Sequence, residues 1–225
     1  MSSSATTSQE QTQKKTLQRA DSEDQGVLIN KILRILTTPA GRDKLCRLVQ
    51  YFLLMLIPLL SQYSGIVIPQ LEIVRSHMSF LRMAMRFEKP YPMMRGIARR
   101  HNSIHRYEPL AILRSIGDAF LVLYFLTDHP MFFHRLGYLT YSAKFADDLD
   151  LVNNLFWLAN CVIEMIVDSL EIVFMQQWQT RKIMDFLVNV SDLPIIFFFL
   201  NFSDFGPVLA GLCGTFASLS VLWRI

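Results

Sequence analysis

Cysteine is scarce. Cys46, Cys161 and Cys213 are odd in number and widely spaced, fitting neither a disulfide framework nor a paired metal-ligand spacing, which favours reducing surroundings. Catalytic signatures are missing too: there is no P-loop, dinucleotide fingerprint, nucleophile elbow or zinc motif, so the chain reads as a non-enzyme with no cofactor and no metal. His101 and His105 stand four apart, but no acid or cysteine completes a site and arginines surround them. Asp147, Asp148 and Asp150 lack the glycine and distal glutamate of a calcium loop and read as acids stabilising a helix N-terminus. The first 26 residues hold no apolar core of a secretory signal. They read as a disordered polar tail in which Ser22, ahead of Glu23 and Asp24, is a candidate phosphate acceptor.

What is present is apolar. Hydrophobic residues make up 52% of the chain and the mean hydropathy is +0.28, more than a soluble domain usually carries. The expected class is an all-α membrane protein, with amphipathic helices in the N-terminal half and long helices with one or two membrane-inserted segments in the C-terminal half. Four segments follow: the tail 1–26, an amphipathic region 27–107, a central helical region 108–192 and a C-terminal membrane segment 193–225. The net charge of +3 is unevenly spread, because residues 75–106 carry eight Arg or Lys against one acid, Glu88, while residues 107–225 carry six bases and twelve acids.

The strongest pattern lies at 71–87. On a helix, Arg75, Arg82 and Arg86 share a narrow polar arc and apolar residues fill the rest, the profile of a helix lying in a membrane surface. Arg75, Arg82, Arg86, Arg95, Arg99 and Arg100 are the expected contacts to anionic phospholipid headgroups, and Leu71, Val74, Met78, Leu81 and Met85 the expected inserted wedge. Because the aromatics of that helix sit on its apolar side, nucleic acid is a poor partner.

Elsewhere the periodicity predicts a short amphipathic helix over 27–36. A second begins at Thr38 and Pro39, an N-cap followed by a first-turn proline, and runs to about Ile57. Residues 48–71 are uncharged, but Pro58 and Pro69 favour two shorter helices over one span. In 109–127, apolar insertion contributes roughly −3 to −6 kcal/mol, whereas unpaired Arg114 and Asp118 together cost about +5 to +7. A span there needs the two paired with each other, one turn apart, and Asp128, His129 and Pro130 are expected to end the helix. Between 151 and 178, Asn153, Asn160, Glu164, Asp168 and Glu171 form an acidic stripe, which either pairs with the basic helix or faces water. The cleanest span starts beyond Asp204, at Gly206–Trp223. Its Ala210, Gly214 and Ser218 form a small-residue face for close helix packing, against a second copy or within the chain.

The run Thr38-Pro39-Ala40-Gly41-Arg42-Asp43-Lys44 onward to Tyr51 resembles the N-terminal signature of the peroxin eleven family of peroxisomal membrane proteins. In the expected order follow the Ser79–Phe87 basic helix, Leu123-Tyr124-Phe125-Leu126-Thr127-Asp128-His129, Phe156-Trp157-Leu158, the run Leu187 to Pro194 with Asp192 inside it, and glycines at 211 and 214. The resemblance implies elongation and proliferation of peroxisomes, or of a specialised relative such as a glycosome. The basic helix would insert into the cytosolic leaflet, many copies would act together as a homo-oligomer, and dynamin-type fission machinery would divide the membrane. It also implies delivery by the peroxisomal membrane-protein import receptor, and both termini in the cytosol, which calls for a second pass near 112–133. An alternative is a pore or carrier for small metabolites, lined by Arg114, Asp118, Glu164, Asp168 and Glu171. A third is a passive scaffold for fission factors.

Overall fold

A computed structural model describes residues 26–61, 68–103, 108–174, 179–202 and 206–224. Ser22, His105 and Asp204, each singled out above, lie outside them. Among the described residues all regular structure is helical: α1 (26–37), α2 (Pro39–Leu60), α3 (Ile68–Met85), α4 (Pro90–His101), α5 (Pro109–Arg135), α6 (Ala143–Val173), α7 (Thr180–Phe199) and α8 (Pro207–Arg224).

Helix boundaries follow local chemistry. The Thr38 hydroxyl accepts the Gly41 N–H at 3.2 Å and Pro39 occupies the first turn, so α2 starts where the cap predicts. Pro58 does not stop it before Leu60. Two expected boundaries move. Asp128, His129 and Pro130 do not end α5, which continues to Arg135. A proline removes one backbone hydrogen bond, and α5 runs on through it, tied to α6 one turn earlier where Asn153 donates to the Tyr124 carbonyl at 3.2 Å. Ser142, not the aspartates, caps α6 by accepting from Phe145 N–H at 3.3 Å, which places Asp147, Asp148 and Asp150 inside the helix. At the ends of α5 and α7 the chain reverses through left-handed Gly137 (φ 79°) and Asn201 (φ 52°). In both, the next N–H reaches back to the helix: Tyr138 to Phe133 O and Phe202 to Phe197 O.

The helices pack as a ring in which α3 lies on α2, α2 on α8, α8 on α7, α7 on α6, α6 on α5, and α5 touches α3 to close it; α4 lies against α5. The apolar centre is Tyr51, Leu54, Ile195 and Ala210, with Trp157, Phe198 and Phe199 packed around them. The small face of α8 packs on α2 of the same chain. Ala210 and Ser218 are fully buried, and a Cβ on Gly214 would strike the Tyr51 ring.

Polarity is turned inside out. Asp43, Arg47, Arg82, Arg86, Asp128, Asp168, Glu171 and Asp192 are buried, whereas Ile73, Val74, Leu81, Ile116, Leu123, Leu212, Phe216 and Leu219 are exposed. Water-facing bundles have the reverse arrangement, and an apolar exterior of this extent is what a lipid-facing surface requires. Two helices, Pro109–Arg135 and Pro207–Arg224, are long and apolar enough to cross a membrane, and only 17% and 39% of their apolar windows are buried inside the protein. Both follow the amphipathic region, in the half where one or two such segments are expected.

The charges of α5 are neutralised differently from the sequence expectation. Arg114 and Asp118 do not pair with each other. Arg114 reaches Glu171 of α6 at 2.9 Å and Asp118 takes Arg100 of α4, because side chains across a helix interface approach more directly than neighbours one turn apart. The stripe on α6 likewise faces its own chain instead of water: Glu171 also binds Lys182 at 2.7 Å, Asp168 accepts from Asn189 at 3.2 Å, and Asn160 donates to Gly117 O at 3.0 Å. With each of these carboxylates and Arg114 matched inside the bundle, the insertion penalty that disfavoured α5 falls away.

Candidate functional site

The polar centre is built on α3. Its arc of arginines points into the bundle, not outward. Arg82 Nε donates to Asp43 Oδ1 at 3.4 Å and its Nη1 to Gln50 Oε1 at 2.6 Å. One turn on, Arg86 Nη1 donates to Asp128 Oδ2 at 2.8 Å and Tyr124 Oη at 2.7 Å, with its Nε 3.6 Å from Asp43. Lys89 completes the set around Asp43 at 2.6 Å. Asn153 of α6 donates to Asp128 Oδ1 at 3.1 Å, so α2, α3, α5 and α6 meet through one set of charge-assisted bonds. A second pair, Arg47 with Asp192, joins α2 to α7. Arg47 lies over the rings of Tyr51 and Trp157, 5.4 and 5.9 Å from their centroids.

Arg82 and Arg86, expected as headgroup contacts, sit inside the bundle in this arrangement. Both are 7% exposed and bound to carboxylates, so neither faces a lipid surface. Arg75 is half-buried and pairs with Glu72 of its own helix at 2.7 Å. Arg100 is held by Asp118, while Arg95 and Arg99 are exposed on α4. Among the wedge residues Val74 and Leu81 are exposed, and Leu71, Met78 and Met85 are half-buried along the edges of the same outward arc.

Sequence reasoning missed Asp43, Gln50, Tyr124 and Asp128 as partners of the basic helix, and Asp192 as the partner of Arg47. A signal for several was present. Asp43, the pair Tyr124 and Asp128, Trp157 and Asp192 each lie in one of the short runs that carry the family resemblance, and each run delivers a side chain to this interior.

Electrostatics are dominated by the surplus of cations. Burial pushes the Asp43 carboxyl up, but Arg86, Arg82 and Lys89 push harder the other way and hold it well below the usual carboxylate range. Half-buried Lys44 is pushed down to about 7, by burial first and then by Arg47 beside it. The sign of its effect on stability follows. Between pH 7 and 10.5 the unfolded chain keeps a proton that the folded chain has released, so the contribution of Lys44 to stability rises with pH across that window and is flat outside it. Comparing denaturant midpoints of the natural chain and Lys44→Met from pH 6 to 10, at roughly unit steps, should show a rise in the natural chain that the variant lacks. A constant offset would remove Lys44 as its source.

The family model for peroxisomal biogenesis factor 11, PEX11, matches residues 29–182, which takes in every charged member of the network except Asp192. The chain belongs to the PEX11 family. No curated protein and no solved structure matches it. As a PEX11 protein it is a peroxisomal membrane protein of a structural biogenesis family, with a general role in peroxisome proliferation and membrane remodelling. Membership gives the exposed apolar exterior a membrane setting. Among the described residues no group of three or more His, Cys, Asp or Glu is arranged to hold a metal ion.

Proposed function

We propose that this PEX11 protein remodels the peroxisomal membrane by lodging the outward arc of α3 in the cytosolic leaflet while the inward arginines clamp the helix to the bundle. One observation carries the reading: Ile73, Val74 and Leu81 on the outward arc of α3 are 55%, 40% and 40% exposed and have no partner surface among the described residues, while Arg82 is buried on the opposite side with Met83. Each fully buried side chain of that size gains about 1.5–3 kcal/mol, and an apolar helix face settled at headgroup depth expands one leaflet relative to the other. Val74 and Leu81 form the wedge, with Leu71, Met78 and Met85 at its margins. Headgroup contact then passes from Arg82 and Arg86 to Arg95 and Arg99 on α4, where exposed Tyr91 and Met94 give that helix its own interfacial character.

Clamping matters because a free amphipathic helix can leave the membrane alone, whereas one bolted to membrane-crossing helices keeps its depth. Many copies acting together as a homo-oligomer, recruitment of dynamin-type fission machinery, delivery by the peroxisomal membrane-protein import receptor, and the absence of any catalytic role complete the reading, on family grounds.

The test is made in the full chain. Val74→Asp with Leu81→Asp should leave the protein folded and peroxisomal, because both positions lie outside the packed interior, yet reduce organelle elongation to the level seen without the protein. Arg75→Glu, on the inward side, should change elongation little. Elongation that survives the double substitution, measured as organelle length and number in cells, would overturn the proposal.

A further inference from the structure

Beneath α3 lies a half-open cavity of about 740 Å³, lined mainly by α3, α5 and α6 with Tyr51 and Trp157 in its wall. Four arginines line it: Arg75 and Arg82 from α3, Arg86 just past its end, and Arg135 from the end of α5. Against them stand two acids, Asp128, already bound by Arg86 and Asn153, and Asp150, hydrogen-bonded to Asn154 at 3.3 Å. His77 is also in the lining, and its Nδ1 is held by the Ile73 carbonyl of its own helix. Arginines thus outnumber acids four to two in the lining, beside the neutral polar side chains of Gln50, Ser76, Ser79, Asn153 and Asn154.

A guanidinium offers five N–H donors. Arg82 uses Nε and Nη1, and Arg86 uses Nη1 with Nε directed at Asp43. Among the described residues no hydrogen bond engages Nη2 of either. Both side chains are more than nine-tenths buried and both line the cavity, so their forks are held at its wall with Nη2 unspent. Arg75 and Arg135 are more accessible, and among the described residues Arg135 makes no direct ion pair, though its charge acts on Asp150.

We propose that this cavity is a binding site for a phosphate-bearing anion. The chemistry selects phosphate: several guanidinium forks converging on one void match a multiply charged group with three free oxygens better than a single carboxylate. The volume selects a phosphate carried on a larger polar body, since about 300–1,000 Å³ is the range of ligand sites for organic molecules. The Tyr51 and Trp157 rings supply the apolar wall against which such a body lies. Two sources share this chemistry, a phosphoinositide headgroup reaching in from the leaflet beside α3 and a soluble phosphoester. The site does not depend on the wedge action of Val74 and Leu81.

The full chain, purified in a neutral detergent, is titrated with inorganic pyrophosphate by calorimetry and by thermal melting. In parallel it is reconstituted in phosphatidylcholine nanodiscs with a phosphorylated phosphoinositide, or with phosphatidylserine at equal total charge. The expected result is a saturable signal and a raised melting temperature in at least one arm: pyrophosphate identifies a soluble ligand, and phosphoinositide over phosphatidylserine identifies a headgroup. Arg75→Gln with Arg135→Gln should weaken that binding roughly tenfold or more, as loss of charge-assisted bonds does, while leaving the ligand-free melting temperature unchanged. Ser79→Asp, which adds a carboxylate to the lining, should do the same. No saturable binding in either arm, equal response to phosphoinositide and phosphatidylserine without a pyrophosphate response, or binding untouched by these substitutions would overturn the proposal. Failure here leaves Val74 and Leu81 to be judged by organelle elongation alone.

Discussion

Replacing Asp43 with asparagine is expected to destabilise the folded chain by about 3–5 kcal/mol, the usual cost of removing one partner from a buried charge cluster. Asp43 is 2% exposed and faces Arg82, Arg86 and Lys89 together. Asparagine keeps the shape and removes the charge, leaving three cations with only Asp128 and Gln50 among them. The loss should appear as a lower denaturant midpoint with an unchanged slope. A second substitution, Arg82→Gln on the Asp43→Asn background, should recover part of it by removing one uncompensated cation. That non-additivity separates a charge effect from a packing effect. Acid should imitate the variant. A carboxyl held below its ordinary value contributes fully above about pH 4, its unfolded value, and that contribution drains as the pH falls towards the folded value. Protonating conditions therefore loosen α3 from α2 and α5. An Asp43→Asn protein as stable as the natural chain would mean that the arginines are satisfied by something other than this carboxylate.

The second large effect is expected at Gly211. A Cβ there would lie 2.5 Å from the Met55 backbone nitrogen and 2.8 Å from its Cα, so nothing flexible can yield and α2 and α8 must separate. Gly211→Val should cost about 3 kcal/mol, at the upper end of overpacking penalties. The outward neighbour Leu212, 50% exposed, is the control: Leu212→Val should fall within about 0.5 kcal/mol. Both are read from thermal melts of helical signal in the same detergent. If the small face served self-association and not the α2 contact, Gly211→Val would shift the oligomer distribution while leaving the melt of the single chain alone.

Much of the architecture was legible from residues. Thr38 and Pro39 placed the start of α2, and an all-helical chain with two apolar helices in its C-terminal half was expected from composition and periodicity. What periodicity could not supply was direction. An amphipathic pattern states which residues share a side, and it does not state which side meets water, lipid or protein. For α3 the deciding fact is Asp43, 39 residues before Arg82, a separation that no local pattern reaches. The same holds for Arg114, whose nearest acid along its own helix was Asp118 but whose partner in space is Glu171, 57 residues on. Pro130 misled for a different reason, because α5 runs on through it, tied to α6 one turn earlier. The cavity lined by Arg82 and Arg86 was invisible for both reasons at once: its walls come from separate helices, and its donors are those left over after long-range pairing.

Lys31 of α1 donates to the Trp223 carbonyl and sits over that indole, 4.5 Å from its centroid. The contact ties the first described helix to the end of the last, so α1 is held beside the closing turn of α8 although 192 residues separate them along the chain.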